Sequence, residues 1–235
     1  MKKNKFVMAT IAGLLILTGC NSQADQAEEA KKAEEAQIPV PEIDLSQERK
    51  LSDKVEIGKT SLKEMEAIYG AAVEKSTIKS TFCKNLASDN GPYPEIEQHV
   101  AFIKMEPING GKWEMAYPYN FTVEQEPELV GAQIMLKRGD LQEKIKANTL
   151  TMDDIKRVYG EPTRDLGQVI EYYDFKNKTV LQVFVQEGNQ FNTMLTDYGV
   201  LYKNLPEDLK EHESIVKRLS REEAMKRKEA GNAGK

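Results

Sequence analysis

The sequence predicts an α+β fold: two tandem repeats, each a helix followed by an antiparallel sheet, packed as a two-layer sandwich, with a charged C-terminal helix. A short helix with both of its ends specified occurs twice along the chain. Three short strands separated by turns follow the second copy, which is typical of an antiparallel meander. The chain has 235 residues, 40% hydrophobic and 30% charged, which suits one or two modest globular domains and is too polar for a membrane-spanning bundle.

The better-defined copy of the helix lies at residues 150–162. Thr151 is in position to cap its N-terminus, with Asp154 three residues on as a shortened relative of the capping box. Gly160 can take the left-handed conformation that ends a helix, and Pro162 prevents its continuation. One face at helical spacing is apolar and consists of Met152, Ile155, Val158 and Tyr159.

The same pattern occurs earlier, at residues 60–70. Ser61 and Glu64 form the capping box, and Gly70 stands where Gly160 stands in the other copy, so the two copies are offset by 90 residues. The corresponding apolar face consists of Leu62, Met65, Ile68 and Tyr69. We therefore expect a duplicated unit whose two helices bury equivalent faces.

The strands are predicted best in the second copy, at 169–175, 179–186 and 190–196, with turns at 176–178 and 187–189. The first copy is less regular. Its expected elements are a lead-in strand at 55–58, a strand or helical turn at 77–83, a loop at 85–94, a strand at 99–104, a hairpin turn at 109–111 leading into 112–116, an interruption at Tyr117-Pro118-Tyr119 and a strand at 132–136 that closes this sheet. A short helix is expected at 140–147. The last element is a charged helix at 206–228 with a thin apolar stripe of Leu209, Val216 and Leu219.

The N-terminal segment 1–19 has the layout of a signal peptide. It begins with three lysines, and the apolar run at 6–18 is about 13 residues long, too short to span a bilayer as a helix. The run ends in Leu17-Thr18-Gly19-Cys20, which resembles the lipobox of bacterial lipoproteins. The resemblance implies cleavage before Cys20 and lipid attachment to it, since several acyl chains anchor a protein stably where one does not. The alternative is an ordinary secretory signal followed by a coincidental cysteine.

We interpret residues 20–42 as a tether between the anchor and the fold. Alanine recurs every third residue from 24 to 36 with polar residues between, so no face is apolar enough to pack. Pro39 and Pro41 favour an extended stretch. The chain then divides into a signal peptide at 1–19, this tether at 20–42, a divergent first repeat at 43–140, a second repeat at 141–205 and a charged helix and tail at 206–235. The expected location is the cell membrane or outer membrane, lipid-anchored and facing outside the cytoplasm.

The second copy resembles the repeat unit of two related groups of proteins. Its pattern is Thr-x-x-Asp-x-x-x-x-Tyr-Gly-x-Pro followed by an aromatic hairpin, with landmarks at Gly160, Pro162, Tyr173 and Phe184. One group is the small lipoprotein of the outer-membrane β-barrel assembly machinery (BamE/SmpA-like), and the other is the tandem-repeat β-lactamase inhibitor protein. The match covers 150–196, but only 59–70 in the first copy, where Ala72 replaces the proline. The resemblance implies an α+β sandwich with helices on one face of the sheet.

The composition and motifs favour binding over catalysis. Removing the three lysines of segment 1–19 changes the net charge from −5 to −8, and an acidic chain with interspersed charges is a poor partner for nucleic acid. His99 and His212 lie far apart without paired ligand spacing, so no metal or other cofactor is expected. Asp153 and Asp154 are better explained as acids at a helix N-terminus than as a general acid–base pair.

We therefore expect no enzyme, but a membrane-anchored module that binds or scaffolds a protein of the cell envelope. The alternative is a hydrolase acting on envelope material, which a pocket lined by His99 or by clustered carboxylates would favour. Cys83 is interpreted as a small core residue. His212, between Glu211 and Glu213 on the charged helix, is expected to be exposed. The basic residues from 214 onward are interpreted as a solvated helix end, with contact to anionic lipid headgroups as the alternative.

The candidate partner-binding surface lies on the hairpin of the second copy. A turn centred on Asn177 would pair Tyr173 with Leu181 and sort the side chains onto two faces. The core face would hold Val169, Tyr173, Phe175, Leu181, Val183 and Val185. The opposite face would hold the candidate partner-binding residues Ile170, Tyr172, Val180 and Phe184, interleaved with Asp174, Gln182 and Gln186. Such a mixture of aromatic and polar groups is typical of recognition surfaces, although the first repeat or the C-terminal helix covering this face is the alternative.

Overall fold

The computed structural model describes residues 33, 35–71, 74–80, 96–104, 114–120, 128–186 and 190–233, with side chains except at 74–80, 96–104, 114–120, 185, 186, 190 and 231–233. The chain divides into two compact units, Met1–Gln37 and Ile38–Lys235. Every element described below belongs to the second unit. The predictions for the signal peptide, Cys20, most of the tether and Cys83 lie outside the described residues.

Mixed helices and strands make up the described part of this unit. The five helices are α1 (Leu62–Tyr69), α2 (Leu141–Lys146), α3 (Met152–Tyr159), α4 (Tyr198–Leu201) and α5 (Pro206–Ala233). The strands are β1 (Lys50–Ser52), β2 (Val55–Glu56), β3 (Glu74–Ser80), β4 (Ile96–Lys104), β5 (Glu114–Asn120), β6 (Glu128–Leu129), β7 (Gly131–Gln133), β8 (Arg164–Asp165), β9 (Val169–Asp174), β10 (Thr179–Gln186) and β11 (Gln190–Asp197). The predicted α+β class and the C-terminal helix are confirmed. In the described part, no helix has the length and apolar character needed to cross a bilayer.

The described strands form three antiparallel sheets. β1 pairs with β2, the second sheet has the order β3-β4-β5-β6, and the third has the order β7-β11-β10-β9-β8. The prediction that 132–136 closes the first sheet is wrong, because β7 places Ala132 opposite Leu195 of β11 and so extends the five-stranded sheet. The chain passes from the four-stranded to the five-stranded sheet at Val130, between β6 and β7.

Both predicted helix starts are confirmed. The Ser61 hydroxyl accepts a hydrogen bond from the Glu64 N–H at 3.2 Å, and the Ser61 N–H donates to the Glu64 carboxylate at 2.8 Å. Thr151 and Asp154 make the same reciprocal pair, at 3.2 and 3.1 Å. Both helices end, as predicted, at a glycine with positive φ, 95° after α1 and 83° after α3. Glycine adopts this conformation without the steric cost that other residues meet.

The expected apolar face of α1 is wrong at Ile68, whose side chain is 39% exposed. Leu62 and Met65 are buried, as predicted. Ile68 lies about 60° around the helix from Met65, on the side away from Leu62, and so falls at the margin of the buried arc. Val158 has the equivalent place in α3 and is likewise only partly buried. The buried face of each helix is therefore narrower than the sequence indicates.

The four-stranded sheet is more regular than the sequence predicts. The segment 77–83 contributes to strand β3, which settles the choice between a strand and a helical turn there. Tyr117-Pro118-Tyr119 does not interrupt β5, and Pro118 lies opposite Val100 of β4. Within the described strands, β6 pairs only with the last two residues of β5, so Pro118 has a neighbouring strand on one side, where proline is tolerated. The predicted loop and turns at 85–94, 109–111 and 187–189 lie outside the described residues.

The register predicted for the β9–β10 hairpin is wrong by one residue. Leu181 lies opposite Tyr172, not Tyr173, and the last pair before the turn joins Asp174 to Thr179. The turn therefore holds four residues, 175–178, and the Asp174 carboxylate stabilises it by accepting the Asn177 N–H at 2.8 Å. Because side chains alternate along a strand, a shift of one residue moves each side chain of one strand to the other face of its partner.

The five-stranded sheet has an apolar cluster on each face. The first apolar cluster joins the sheet residues Ile170, Tyr172, Leu181, Val183 and Leu195 to α1 and α3 through Leu62, Met65, Ile155 and Tyr159. The second apolar cluster joins Tyr173 and Val180 to α4 and α5 through Tyr198, Leu201 and Val216. Helices therefore pack on both faces of this sheet, and α5 covers the face that the sequence analysis left in question.

Candidate functional site

The four predicted partner-binding residues do not form one solvent-facing surface. Ile170, Tyr172 and Val180 are at most 1% exposed, and Phe184 is half-buried. Ile170 and Tyr172 belong to the first apolar cluster, whereas Val180 belongs to the second. The prediction of a shared exposed face is wrong because the true register divides these residues between two packed faces. Cys20, the predicted lipid-attachment site, lies outside the described residues.

A group of aromatic side chains surrounds His212 beneath α5. The imidazole is 1% exposed, and its ring centroid lies 5.9 Å from that of Tyr173, 5.2 Å from Tyr198 and 5.4 Å from Tyr202. β9 supplies Tyr173, while α4 and the residue that follows it supply the other two tyrosines. We call these four residues the His212 cluster. It is an interface between one helix and one sheet face.

The prediction that His212 is exposed is wrong, and its place on α5 explains why. Val216 follows His212 by one helical turn and is fully buried, and Leu209 precedes it by about one turn and is partly buried. Residues at such spacing share one face of a helix. The apolar stripe noted in the sequence therefore already contained the signal that His212 points inward.

The His212 cluster is neutral at neutral pH. Burial, together with the nearby Arg164 guanidinium, lowers the pKa of His212 from 6.5 to about 4. Burial, together with the Glu213 carboxylate, raises the pKa of Tyr198 above its usual range. The Tyr198 hydroxyl therefore keeps its proton and lies 3.3 Å from the Glu213 carboxylate, to which it donates. Uncharged rings suit this buried setting because burial penalises the charged form of any group.

A charged group next to the cluster fixes α5 to β8. Arg164 Nη1 lies 3.8 Å from the Glu171 carboxylate, and Arg164 Nε lies 3.3 Å from the Glu223 carboxylate on α5. Glu223 also accepts the Asp165 N–H at 3.0 Å. Burial raises the pKa of Glu171, while the Gln182 amide, which donates to it at 2.8 Å, acts in the opposite direction. Removing one member of such a buried set leaves an uncompensated charge.

Residues 38–45 form a strap that lies against α5 and β9, and they belong to the compact unit that begins at Ile38. The hydrogen bonds that hold its backbone include Arg221 Nε to Ile38 O (3.2 Å), Thr163 Oγ1 to Pro41 O (2.7 Å), Ile43 N to Tyr173 O (3.1 Å) and Leu45 N to Asp174 Oδ2 (2.8 Å). Val40 packs against the second apolar cluster, and Leu45 is fully buried. The strap thus covers part of the edge of β9, which an unpaired strand would leave open.

These groups hold elements together and do not offer a reactive group to solvent. A general acid or base must come within hydrogen-bonding reach of its substrate, whereas His212 is enclosed by three rings. His99, which the hydrolase alternative named, lies in β4, and its side chain is outside the description. In the described part of the chain, no three His, Cys, Asp or Glu side chains are grouped to hold a metal ion.

No known protein family, curated protein or solved structure matches this chain. The resemblance of the second repeat to the BamE/SmpA-like and β-lactamase-inhibitor repeats therefore stays a prediction.

Proposed function

We propose that this chain is a lipoprotein, cleaved before Cys20 and acylated there, that acts without catalysis as a binding or scaffold module for another protein of the cell envelope. The observation that carries the proposal is the order of three lysines, a short apolar run and Leu17-Thr18-Gly19-Cys20. A location at the cell membrane or outer membrane, facing outside the cytoplasm, follows from the proposal.

The position of the compact unit is consistent with an anchored module. This unit begins at Ile38, which leaves the polar, alanine-containing segment 20–37 between it and Cys20. A flexible segment of that length has a root-mean-square reach of roughly 20–25 Å. The folded part would stay close to the membrane surface while remaining able to meet a membrane-associated protein.

We further propose that the fold is a duplicated unit arranged as a two-layer sandwich. α1 and α3 support this, because each begins with a capping box, ends at a glycine with positive φ and precedes an antiparallel sheet. The matching positions Ser61 and Thr151, Met65 and Ile155, Tyr69 and Tyr159 all differ by the same 90 residues.

The anchor is tested by Cys20→Ala, with Cys83→Ala as the matched control at the other cysteine. We expect Cys20→Ala to abolish incorporation of a fatty-acid label and to remove the chain from the membrane fraction. Cys83→Ala should retain both the label and the membrane location. Retention of both by Cys20→Ala would refute the anchor.

The binding role is tested by crosslinking the anchored chain in intact cells and purifying it under denaturing conditions. A single envelope protein recovered in near-equal amount, and lost when the chain is released by Cys20→Ala, would support the scaffold role. Turnover of envelope polymer by the purified chain alone would contradict it.

A further inference from the structure

The strap is the stretch through which a lipid anchor at Cys20 would connect to the fold, and α5 holds its first half. Arg221 of α5 donates to Ile38 O at 3.2 Å, and Val40 packs against the apolar cluster that contains Val216 of α5. The strap reaches β9 only from Ile43 onward, where its N–H donates to the sheet. The first half of the strap therefore depends on α5 staying in place.

The hold of α5 on the sheet depends in turn on the His212 cluster and on one buried charge. His212 and Val216 are its most enclosed side chains near the sheet, at 1% and 0% exposed. Further along α5, Glu223 accepts hydrogen bonds from Arg164 and from the Asp165 N–H. A change that makes the His212 site unfavourable therefore acts directly on the contact between α5 and the sheet.

A second positive charge is poorly accommodated at the His212 site. The titratable and charged groups around it are the three tyrosines from β9 and α4, Arg164 from β8, and Glu213 next to it on α5. Arg164 is already positive, and Glu213 is engaged by Lys178 at 2.6 Å. A proton on the imidazole would add a buried cation close to Arg164, which is costly unless that cation is paired. The lowered pKa of His212 agrees with this geometry.

We propose that α5 and the strap form an acid-sensitive latch, in which protonation of His212 loosens α5 from the sheet and frees the strap, lengthening the tether. The lengthening of a membrane tether rests on the proposed function, whereas the latch itself lies within the compact unit. Freeing residues 38–45 adds eight residues to the tether, up to roughly 26 Å when extended. Acid would thus increase the distance over which the anchored module reaches.

Distances between spin labels test the latch on the full chain purified from membranes, in a Cys83→Ala background. One pair reports the strap, with labels at Glu42→Cys and Lys146→Cys, and a second reports α5, with labels at Lys226→Cys and Lys146→Cys; all three sites are exposed. We expect narrow distance distributions at pH 7 and broad ones at pH 4 for both pairs, with one shared midpoint between pH 6.5 and 4. His212→Phe and His212→Gln, which cannot take up the proton, should stay narrow at pH 4. His99→Phe, at the other histidine, should behave as the parent.

Several outcomes would overturn the latch. Distributions that stay narrow at pH 4 in the parent would show that protonation does not move α5. Broadening of the α5 pair alone would show that the strap is held independently, and equal broadening in both His212 variants would place the titrating group elsewhere. Loss of far-ultraviolet circular dichroism in the same step would indicate global unfolding instead of local release. A third label on an unacylated Cys20, detected by mass, would report failure of the anchor separately from failure of the latch.

Discussion

Arg49 and Asp197 lie 2.7 Å apart as a buried ion pair that joins the segment before β1 to the end of β11. Burial raises the pKa of Asp197, and the Arg49 guanidinium opposes that rise. Arg49 also donates to Asn177 O at 2.7 Å, to Ile57 O at 3.0 Å and to Thr179 Oγ1 at 3.2 Å. One side chain therefore connects the N-terminal segment to the β9–β10 hairpin and to the start of α4.

Replacing Arg49 should strongly destabilise the fold. Arg49→Met leaves the Asp197 carboxylate buried without its counter-ion, which should lower the free energy of unfolding by about 3–5 kcal/mol. Urea unfolding followed by circular dichroism measures this change. Lys210→Met is the control, because the Lys210–Glu207 pair is exposed and its loss should change stability by no more than about 0.5 kcal/mol. Similar losses for the two variants would remove Arg49 from its structural role.

Gly58 should tolerate alanine far less well than Gly160, although both have nearly the same backbone conformation. Their φ angles are 82° and 83°. A β-carbon at Gly58 would overlap the Asp197 carboxylate and the Arg49 guanidinium, whereas one at Gly160 would meet nothing within 4 Å. Gly160→Ala should therefore cost only the backbone strain of about 1–2 kcal/mol, and Gly58→Ala should cost clearly more. Melting temperatures of the two variants test the order, and equal values would contradict the close packing at Gly58.

Two residues on α1 should respond differently to truncation. Met65 is fully buried, so Met65→Ala should lower the free energy of unfolding by about 2–5 kcal/mol. Ile68 is 39% exposed, and Ile68→Ala should cost less than about 1 kcal/mol because little apolar area leaves the core. Chemical denaturation of both variants gives the comparison. A larger loss at Ile68 than at Met65 would restore the broader apolar face that the sequence predicted.

The capped helices and the second meander can be predicted from sequence because their signals are local. Thr151 and Asp154 stand three residues apart, and each capping contact is made within that interval. The same holds for the strands of the second copy, whose bounds in the structure differ from the predicted ones by at most one residue. Short-range pattern and short-range structure coincide there.

The hairpin register and the buried polar groups could not be predicted in the same way. The register depends on whether residue 175 belongs to the strand or to the turn, and the Asp174–Asn177 hydrogen bond decides that in the folded chain. The position of His212 depends on rings from β9 and α4, which are distant in sequence. Because one residue of register exchanges the two faces, a small local error produced the wrong candidate surface.

The stability of the fold should fall with pH through His212. Its pKa in the folded chain is about 4, below the ordinary 6.5, so the folded state binds the proton less tightly than the unfolded state. This contribution is fully present above pH 6.5 and is lost as the pH falls toward 4, by about 3 kcal/mol in total. The raised pKa values of Glu171 and Asp197 act in the opposite direction, because their folded forms favour the proton.

The difference in unfolding free energy between the parent and His212→Phe isolates the histidine from these carboxylates. Urea unfolding at pH 7 and pH 4 should show this difference shift by about 3 kcal/mol in favour of His212→Phe at the lower pH. A difference that does not depend on pH would mean that His212 titrates normally in the folded chain.

Tyr172 decides whether its face of the hairpin is core or a recognition surface. Its side chain is 1% exposed, its ring lies 5.4 Å from that of Tyr159, and its hydroxyl donates to Gly160 O at 3.2 Å. Tyr172→Ala should therefore lower the free energy of unfolding by about 3–5 kcal/mol through a cavity under α3. Tyr172→Phe keeps the ring and removes one hydrogen bond, so it should cost only about 1 kcal/mol. Phe184→Ala, at a half-buried position, should fall below Tyr172→Ala. If Tyr172→Ala instead melts at the temperature of the parent, the ring lies at the surface, and Tyr172 returns as a partner-binding residue.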